Sequence, residues 1–254
     1  LNFSLNGYRL IQQNALSEVH SKTTSDLLAG IKELFQASTI ELKTQSAKSK
    51  TFYNNIYRNY SNLISSTGIT KLKDSFSNIP AIICSAGPSL DKNIQQLKAK
   101  RDNFILISVA TALKPLIENE ISPDFIVAID PDEITLNFFD LKNYSKDSWL
   151  LYNPVVPSKI PDTFPEKRLT YDSSINLAKW LQKYIGSKGS LEKIFSVAHA
   201  AFQLARFIGC VPIIFIGQDL SFSKKRLHSR HSFYYRERED RVNQLETSKY
   251  LDQK

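Results

Sequence analysis

The sequence predicts an α/β fold: a Rossmann-like, mainly parallel sheet flanked by helices and preceded by a helical N-terminal segment. Three observations carry this. From Asn78 onward, short apolar runs alternate with stretches of helical spacing, the pattern of βα units around a parallel sheet. Those runs stop on small or polar residues such as Ser85, Asp130 and Gln218, as strands do when their loops gather at one end of an open sheet. Residues 1–78 contain no proline and repeat apolar residues three and four apart, which is helical periodicity.

Within 1–78, Gly30 reads as a connection between helices. In KTFYNNIYRNYSNLISS, Phe52, Ile56, Tyr60 and Leu63 or Ile64 share one face, with Tyr53 and Tyr57 beside it. That face reads first as packing surface and second as an aromatic binding stripe. The second division, 79–222, opens with the strand AIICSA and the helix SLDKNIQQLKAK. The strand NFILISVA follows, then the helix TALKPLIENE, in which Pro115 fits only in the first turn. DFIVAID is the third strand and closes on Asp130. WLLY (149–152) and RLTY (168–171) are shorter strands flanking a proline-rich loop. SINLAKWLQKYIG is a helix ended by Gly186, SVAHAAFQLARFIG is another ended by Gly209, and VPIIFIG is the most apolar strand. The third division, 223–254, is densely charged, holds His228 and His231, and reads as a lid followed by the start of a C-terminal helical part.

The composition bounds the function. The 254 residues are 42% apolar, enough for a sizeable core without disulfide staples. Cys84 and Cys210 lie in apolar runs, which suits reduced thiols and a reducing compartment. No run is long enough to span a membrane, and no secretory signal opens the chain. The chain therefore reads as cytoplasmic. It begins at Leu1 and holds no methionine, which reads as a fragment or a processed product. Lys plus Arg exceed Asp plus Glu by 33 to 25, a net charge of +8, which attracts phosphates, nucleotides and acidic sugars. The basic residues are dispersed and no nucleic-acid module is evident, so nucleic acid is not the expected partner.

Candidate site residues follow from the strand ends. Ser85-Ala86-Gly87-Pro88-Ser89 ends the first strand, Thr111 follows the second, Asp130-Pro131-Asp132 the third, and Gly217-Gln218-Asp219 the last. At a helix N-terminus, unpaired amides and partial positive charge meet an anion; Gly87 allows close approach, Pro88 forfeits no needed donor, and Ser89 caps the helix or donates its hydroxyl. The turn thus reads as a seat for a phosphoryl group. Neither GxxxxGK[ST] nor GxGxxG is present, which leaves a mononucleotide or a sugar nucleotide. GxSxG, HExxH and CxxC are also missing, so hydrolase and zinc chemistry recede. His228 and His231 follow the last strand end closely enough to fold back over a site, where an imidazole can take a proton near neutral pH.

Three blocks in order, IPAIICSAGPSLDKNIQQLK, ALKPLIENEISPDFIVAIDPD and SVAHAAFQLARFIGCVPIIFIGQDLSFSKKRLH, resemble the central domain of the Maf (motility accessory factor) flagellin glycosyltransferases. That domain also defines a wider group including the MptE-like 6-hydroxymethylpterin pyrophosphokinases. The resemblance runs from Ile79 to His228. It implies transfer of a nonulosonic acid, pseudaminic or legionaminic, from a CMP-activated donor to Ser or Thr of flagellin, on a sialyltransferase-like nucleotide-sugar-binding domain. It also implies a role in flagellum assembly and motility.

Carried over, Gly87, Pro88 and Ser89 match a phosphate-side Gly-Pro-Ser. Asp130 matches an acidic strand end, and Gly217, Gln218 and Asp219 a Gly-Gln-Asp block. Asn153 matches an asparagine loop, and His228, with His231 next, the catalytic histidine. The family pattern has a glycine before that histidine where this chain has Ser223-Lys224-Lys225-Arg226-Leu227, and paired glycines where this chain has Gly186 and Gly189 around Lys188. RVNQLETSKY resembles a segment just after the central domain, so the C-terminal part is expected beyond it. The resemblance calls for no metal or other cofactor beyond the CMP-sugar. Two alternatives stay open: an ATP- and magnesium-dependent pyrophosphokinase with Asp130, Asp132 and Asp219 as ligands, and a non-catalytic flagellar assembly factor.

Overall fold

A computed structural model describes residues 20–140, 147–192, 194–220 and 228–234, with side chains described outside 34–45. The segment 1–19, the loop 223–227 and the charged region 235–254 lie outside the described residues. The chain divides into two compact units, Leu1–Thr51 and Phe52–Lys254. Helix α1, Ser21–Arg58, begins in the first and ends in the second. It runs unbroken through Gly30, where the sequence suggested a connection. A lone glycine costs a helix about 1 kcal/mol, too little to stop one flanked by Leu, Ala, Ile and Lys.

In the second unit seven parallel strands form one sheet: β1 Thr67–Gly68, β2 Ala81–Cys84, β3 Ile105–Val109, β4 Phe125–Ala128, β5 Trp149–Tyr152, β6 Arg168–Thr170 and β7 Ile213–Ile216. Their order is β1-β6-β5-β4-β3-β2-β7. Successive strands β3 to β6 extend the sheet to one side of β2. The chain then returns and lays β7 on the other side, with Ala81 opposite Ile213 and Cys84 opposite Ile216. The strand order therefore reverses between β2 and β7, the kind of crevice in which open α/β sheets bind ligands. The intervening helices are α2 Tyr60–Ser65, α3 Leu90–Ala99, α4 Leu113–Glu118, α5 Lys159–Asp162, α6 Asn176–Ile185 and α7 Val197–Phe207.

Strand periodicity sends alternate residues to opposite faces. Phe125, Val127 and Leu151 join one core cluster with Ala200, Leu204 and Ala205 of α7. Ile126, Ala128, Leu150 and Tyr152 join another with Ile56, Leu63, Ala178 and Leu181. Both faces of the central strands are covered, so β3 to β5 read as unbroken apolar runs. Truncating a fully buried leucine such as Leu106 or Leu150 should cost about 2–5 kcal/mol.

The structure moves the sequence-drawn boundary at 78/79. β1 pairs with β6 through Thr67 and Leu169, so residues 52–78 belong to the α/β unit. A two-residue strand carries no readable periodicity. The packing face of α1 and α2 also differs from expectation: Ile56 and Leu63 are buried, whereas Tyr53, Tyr57, Tyr60 and Ile64 are exposed. Asparagines complete the buried face. Asn55 Nδ2 donates to the carbonyls of Pro131 (2.9 Å) and Val155 (2.6 Å), and Asn59 Nδ2 to those of Pro154 (3.0 Å) and Val156 (2.7 Å). Asn62 Nδ2 reaches Asp162 Oδ1 at 2.8 Å. The loops after β4 and β5 are thereby tied to the α1–α2 face. No described helix is long and apolar enough to cross a membrane.

Candidate functional site

A cavity of about 370 Å³ opens at the carboxyl ends of β2, β3 and β7. Its walls are Ser85, Ala86 and Gly87 after β2, Val109 at the end of β3 and Thr111 beyond it, Ser196 to Ala198 at the start of α7, Gly217 to Leu220 after β7, and His228. Of the residues expected from sequence, Ser85, Ala86, Gly87, Thr111, Gly217, Gln218, Asp219 and His228 come together here. The strand pairing is the cause, because β7 delivers its Gly-Gln-Asp beside the Ser-Ala-Gly of β2.

Two helices begin at this cavity, and their first turns differ. At α3 every donor of the Gly-Pro-Ser turn is spent within the protein. The Gly87 amide bonds the Gly217 carbonyl at 2.8 Å, and Pro88 has no N–H. The Ser89 amide lies 3.2 and 3.1 Å from the two carboxylate oxygens of Asp219, and the Ser89 hydroxyl donates to Oδ2 at 2.8 Å. A carboxylate from the end of β7 thus sits where the sequence suggested a phosphate, for the same reason a phosphate would: a helix N-terminus favours negative charge. Gly87 is required there, since a β-carbon would collide with Asp219 Oδ2 and the Gly217 carbonyl. Gly217 adopts φ +72°, with the Ser85 carbonyl where its β-carbon would be. Of the expected phosphate seat, Gly87 lines the cavity, whereas Pro88 and Ser89 do not, and Ser89 holds Asp219.

At α7 the arrangement is different. Ser196 caps the helix, its Oγ accepting from the His199 amide at 3.1 Å. Helix geometry leaves the Val197 and Ala198 amides without intrahelical partners, and Ser196, Val197 and Ala198 all face the cavity. Sequence reasoning saw SVAH as a helix start alone. The capping Ser is readable; its position beside β2 depends on where β7 pairs. The Ser85 hydroxyl also donates to Gln218 Oε1 at 2.7 Å, and Gln218 itself lines the cavity.

The remaining expected residues lie elsewhere. Asp130 follows β4 and does not line the cavity. Asn153 serves the β5 loop: its Nδ2 donates to the Tyr171 hydroxyl at 2.9 Å and its Oδ1 accepts from the Val155 amide at 3.1 Å. His231 is exposed and outside the cavity wall. His228 is brought in because the next residue, Ser229, donates its amide to the Ala86 carbonyl at 2.8 Å. Cys84 and Cys210 are free and buried. Burial pushes their thiols up to about 12 and about 11, so neither is a thiolate nucleophile at neutral pH. Among the described residues no three His, Cys, Asp or Glu side chains are grouped to hold a metal ion.

A family model described as 6-hydroxymethylpterin diphosphokinase MptE-like matches residues 54–225, well over half of the sequence. The chain belongs to this MptE-like family. The matched range begins in α1, in accord with the assignment of residues 52–78 to the sheet unit. The fold of the MptE-like chain is that of the Maf glycosyltransferase from Magnetospirillum magneticum AMB-1, with a TM-score of 0.57 and 19% identity over 75% of this chain and 32% of the other. A 65-residue stretch, 26% of this chain, is 35% identical to an uncharacterized protein of Treponema pallidum (strain Nichols), covering 31% of that protein. The MptE-like chain thus spans about a third of the length of both relatives.

Proposed function

We propose that the switch-point cavity binds a nucleotide-activated sugar, a CMP-nonulosonic acid, and passes the sugar to a Ser or Thr hydroxyl, flagellin being the acceptor that the Maf resemblance implies. One observation carries the reading: the cavity joins the first turn of α7, at Ser196 to Ala198, with an imidazole, His228, on its wall. In the transfer, the acceptor oxygen forms a bond to the anomeric carbon as the bond from that carbon to the phosphate oxygen breaks. The electron pair departs with CMP. The proton of the acceptor hydroxyl passes to an imidazole nitrogen of His228. Charge grows on the phosphate as it leaves, and the Val197 and Ala198 amides, assisted by the Gln218 amide, are donors suited to receive it. One such donor is typically worth about 2.7–4 kcal/mol in an oxyanion site. The shared fold with the Maf glycosyltransferase supports the same class of donor.

The description of the family favours a second reading, an ATP- and magnesium-dependent diphosphokinase. Asp130, Asp132 and Asp219 would be its metal ligands. Of these, only Asp219 lines the cavity, and Ser89 already engages its carboxylate. The transferase reading is preferred on that geometry.

Calorimetry separates the readings. CMP binding without metal is the expected result. ATP binding that depends on magnesium, with no CMP binding, would replace the transferase by the kinase, and a protein that binds no nucleotide would be an assembly factor.

A further inference from the structure

The pair His228 and Tyr234 is joined by more than sequence. Their ring centroids lie 5.2 Å apart with planes inclined by 30°. Tyr234 packs edge-on against Phe138 at 5.5 Å and against Phe233 at 5.7 Å, and Phe138 packs against Phe233 at 5.8 Å. Phe138 is buried in the core cluster that covers one face of the sheet, at the end of the 3-10 turn Glu133–Phe138. A continuous stack of rings therefore runs from the core to the imidazole on the cavity wall. The backbone is fastened at the other side of the same histidine, where Ser229, fully buried, bonds the Ala86 carbonyl.

From this we infer that Tyr234 is a positioning residue for His228. With its Phe138 and Phe233 support, the phenol ring holds the imidazole against the cavity. The inference rests on the transferase reading for what His228 does, and on geometry alone for where it is held. An imidazole on a surface turn would sample several rotamers. A ring against one side and a pinned backbone on the other select one of them. Edge and face contacts of this kind contribute beyond simple burial, and a misplacement of about 1 Å can slow a positioned proton transfer about a hundredfold. The strand end after β4, read from sequence as a source of ligands, thus contributes a platform, Phe138.

Two measurements test this, the first of them independently of the function. The first uses the full chain and the ¹H–¹³C spectrum of the His228 imidazole. Tyr234→Phe should keep the ring-current shift of its carbon-bound protons, and Tyr234→Ala and Tyr234→Leu should abolish it. An unchanged His228 signal in the last two would overturn the clamp, whatever the enzyme does. The second follows CMP release from CMP-nonulosonic acid with a Ser/Thr peptide as acceptor. Tyr234→Ala should lower kcat at least about tenfold with donor KM and calorimetric CMP affinity unchanged, and Tyr234→Phe should restore turnover. Parental kcat in Tyr234→Ala, or no rescue by Phe, would overturn the inference. Failure of the parent protein to bind CMP would count against the transferase reading, and the spectrum would still decide the clamp.

Discussion

The first turns of α3 and α7 meet at the same cavity, yet among the described residues a carboxylate of the protein occupies only the first. By sequence α3 is the better anion site, with glycine, proline and serine in order. In the folded chain Asp219 answers that invitation from 130 residues away. The helix with the plainer start lines the cavity with Ser196, Val197 and Ala198. A motif specifies what a turn can bind, and the rest of the chain decides whether something already does.

Substitutions can break or sharpen this contrast. The largest effect is expected from Gly217→Ala, which forces a β-carbon into a left-handed backbone and onto the Ser85 carbonyl. The loss should be about 3 kcal/mol or more, read by chemical denaturation; a loss below about 1 kcal/mol would mean that the β2–β7 junction yields to an added methyl group. Asp219→Asn keeps the shape and removes the charge from the α3 terminus. Charge-assisted bonds of this kind contribute about 1.5–3 kcal/mol, so stability should fall by that order while CMP affinity holds. A collapse of CMP affinity would place Asp219 on the ligand instead.

The smallest and most discriminating comparison pairs Ser196→Ala with Ser89→Ala. Each removes one hydroxyl and should cost about 1 kcal/mol of stability. Ser196→Ala should also weaken CMP binding about threefold to tenfold, and Ser89→Ala should leave it unchanged. The reverse pattern in calorimetry would return the phosphate to α3.

Much of the sheet was legible because β2 to β5 are largely buried on both faces, so each reads as an unbroken apolar run; the edge strand β7 is as apolar in sequence, yet Ile214 and Phe215 are exposed. The two-residue β1 was not legible, since it has too few residues to show a period. Of the site, the strand-end residues Ser85, Thr111 and Gln218 were legible from the general rule that open sheets bind at their carboxyl ends. Ser196 was legible as a cap and silent as a wall of the cavity. Its place depends on the return of the chain from β6 across to the far side of β2, a long-range pairing that no local pattern encodes. The Asp219 contact with Ser89 was hidden for the same reason. Asp130 and Asn153 shared every local feature of their neighbours and were separated from the cavity only by their position in the strand order.

The asparagine face of α1 bears on how the protein can be cut. Asn55 and Asn59 between them supply donors to four carbonyls, those of Pro131, Pro154, Val155 and Val156. An expression fragment begun at Ile79, the boundary suggested by composition, would strip these oxygens of their amides and β6 of its outer neighbour. Any oxygen left dry by such a cut costs about 1–3 kcal/mol, a large share of what a domain of this size has to spare. A fragment that keeps these bonds must therefore start by about Phe52, inside a helix.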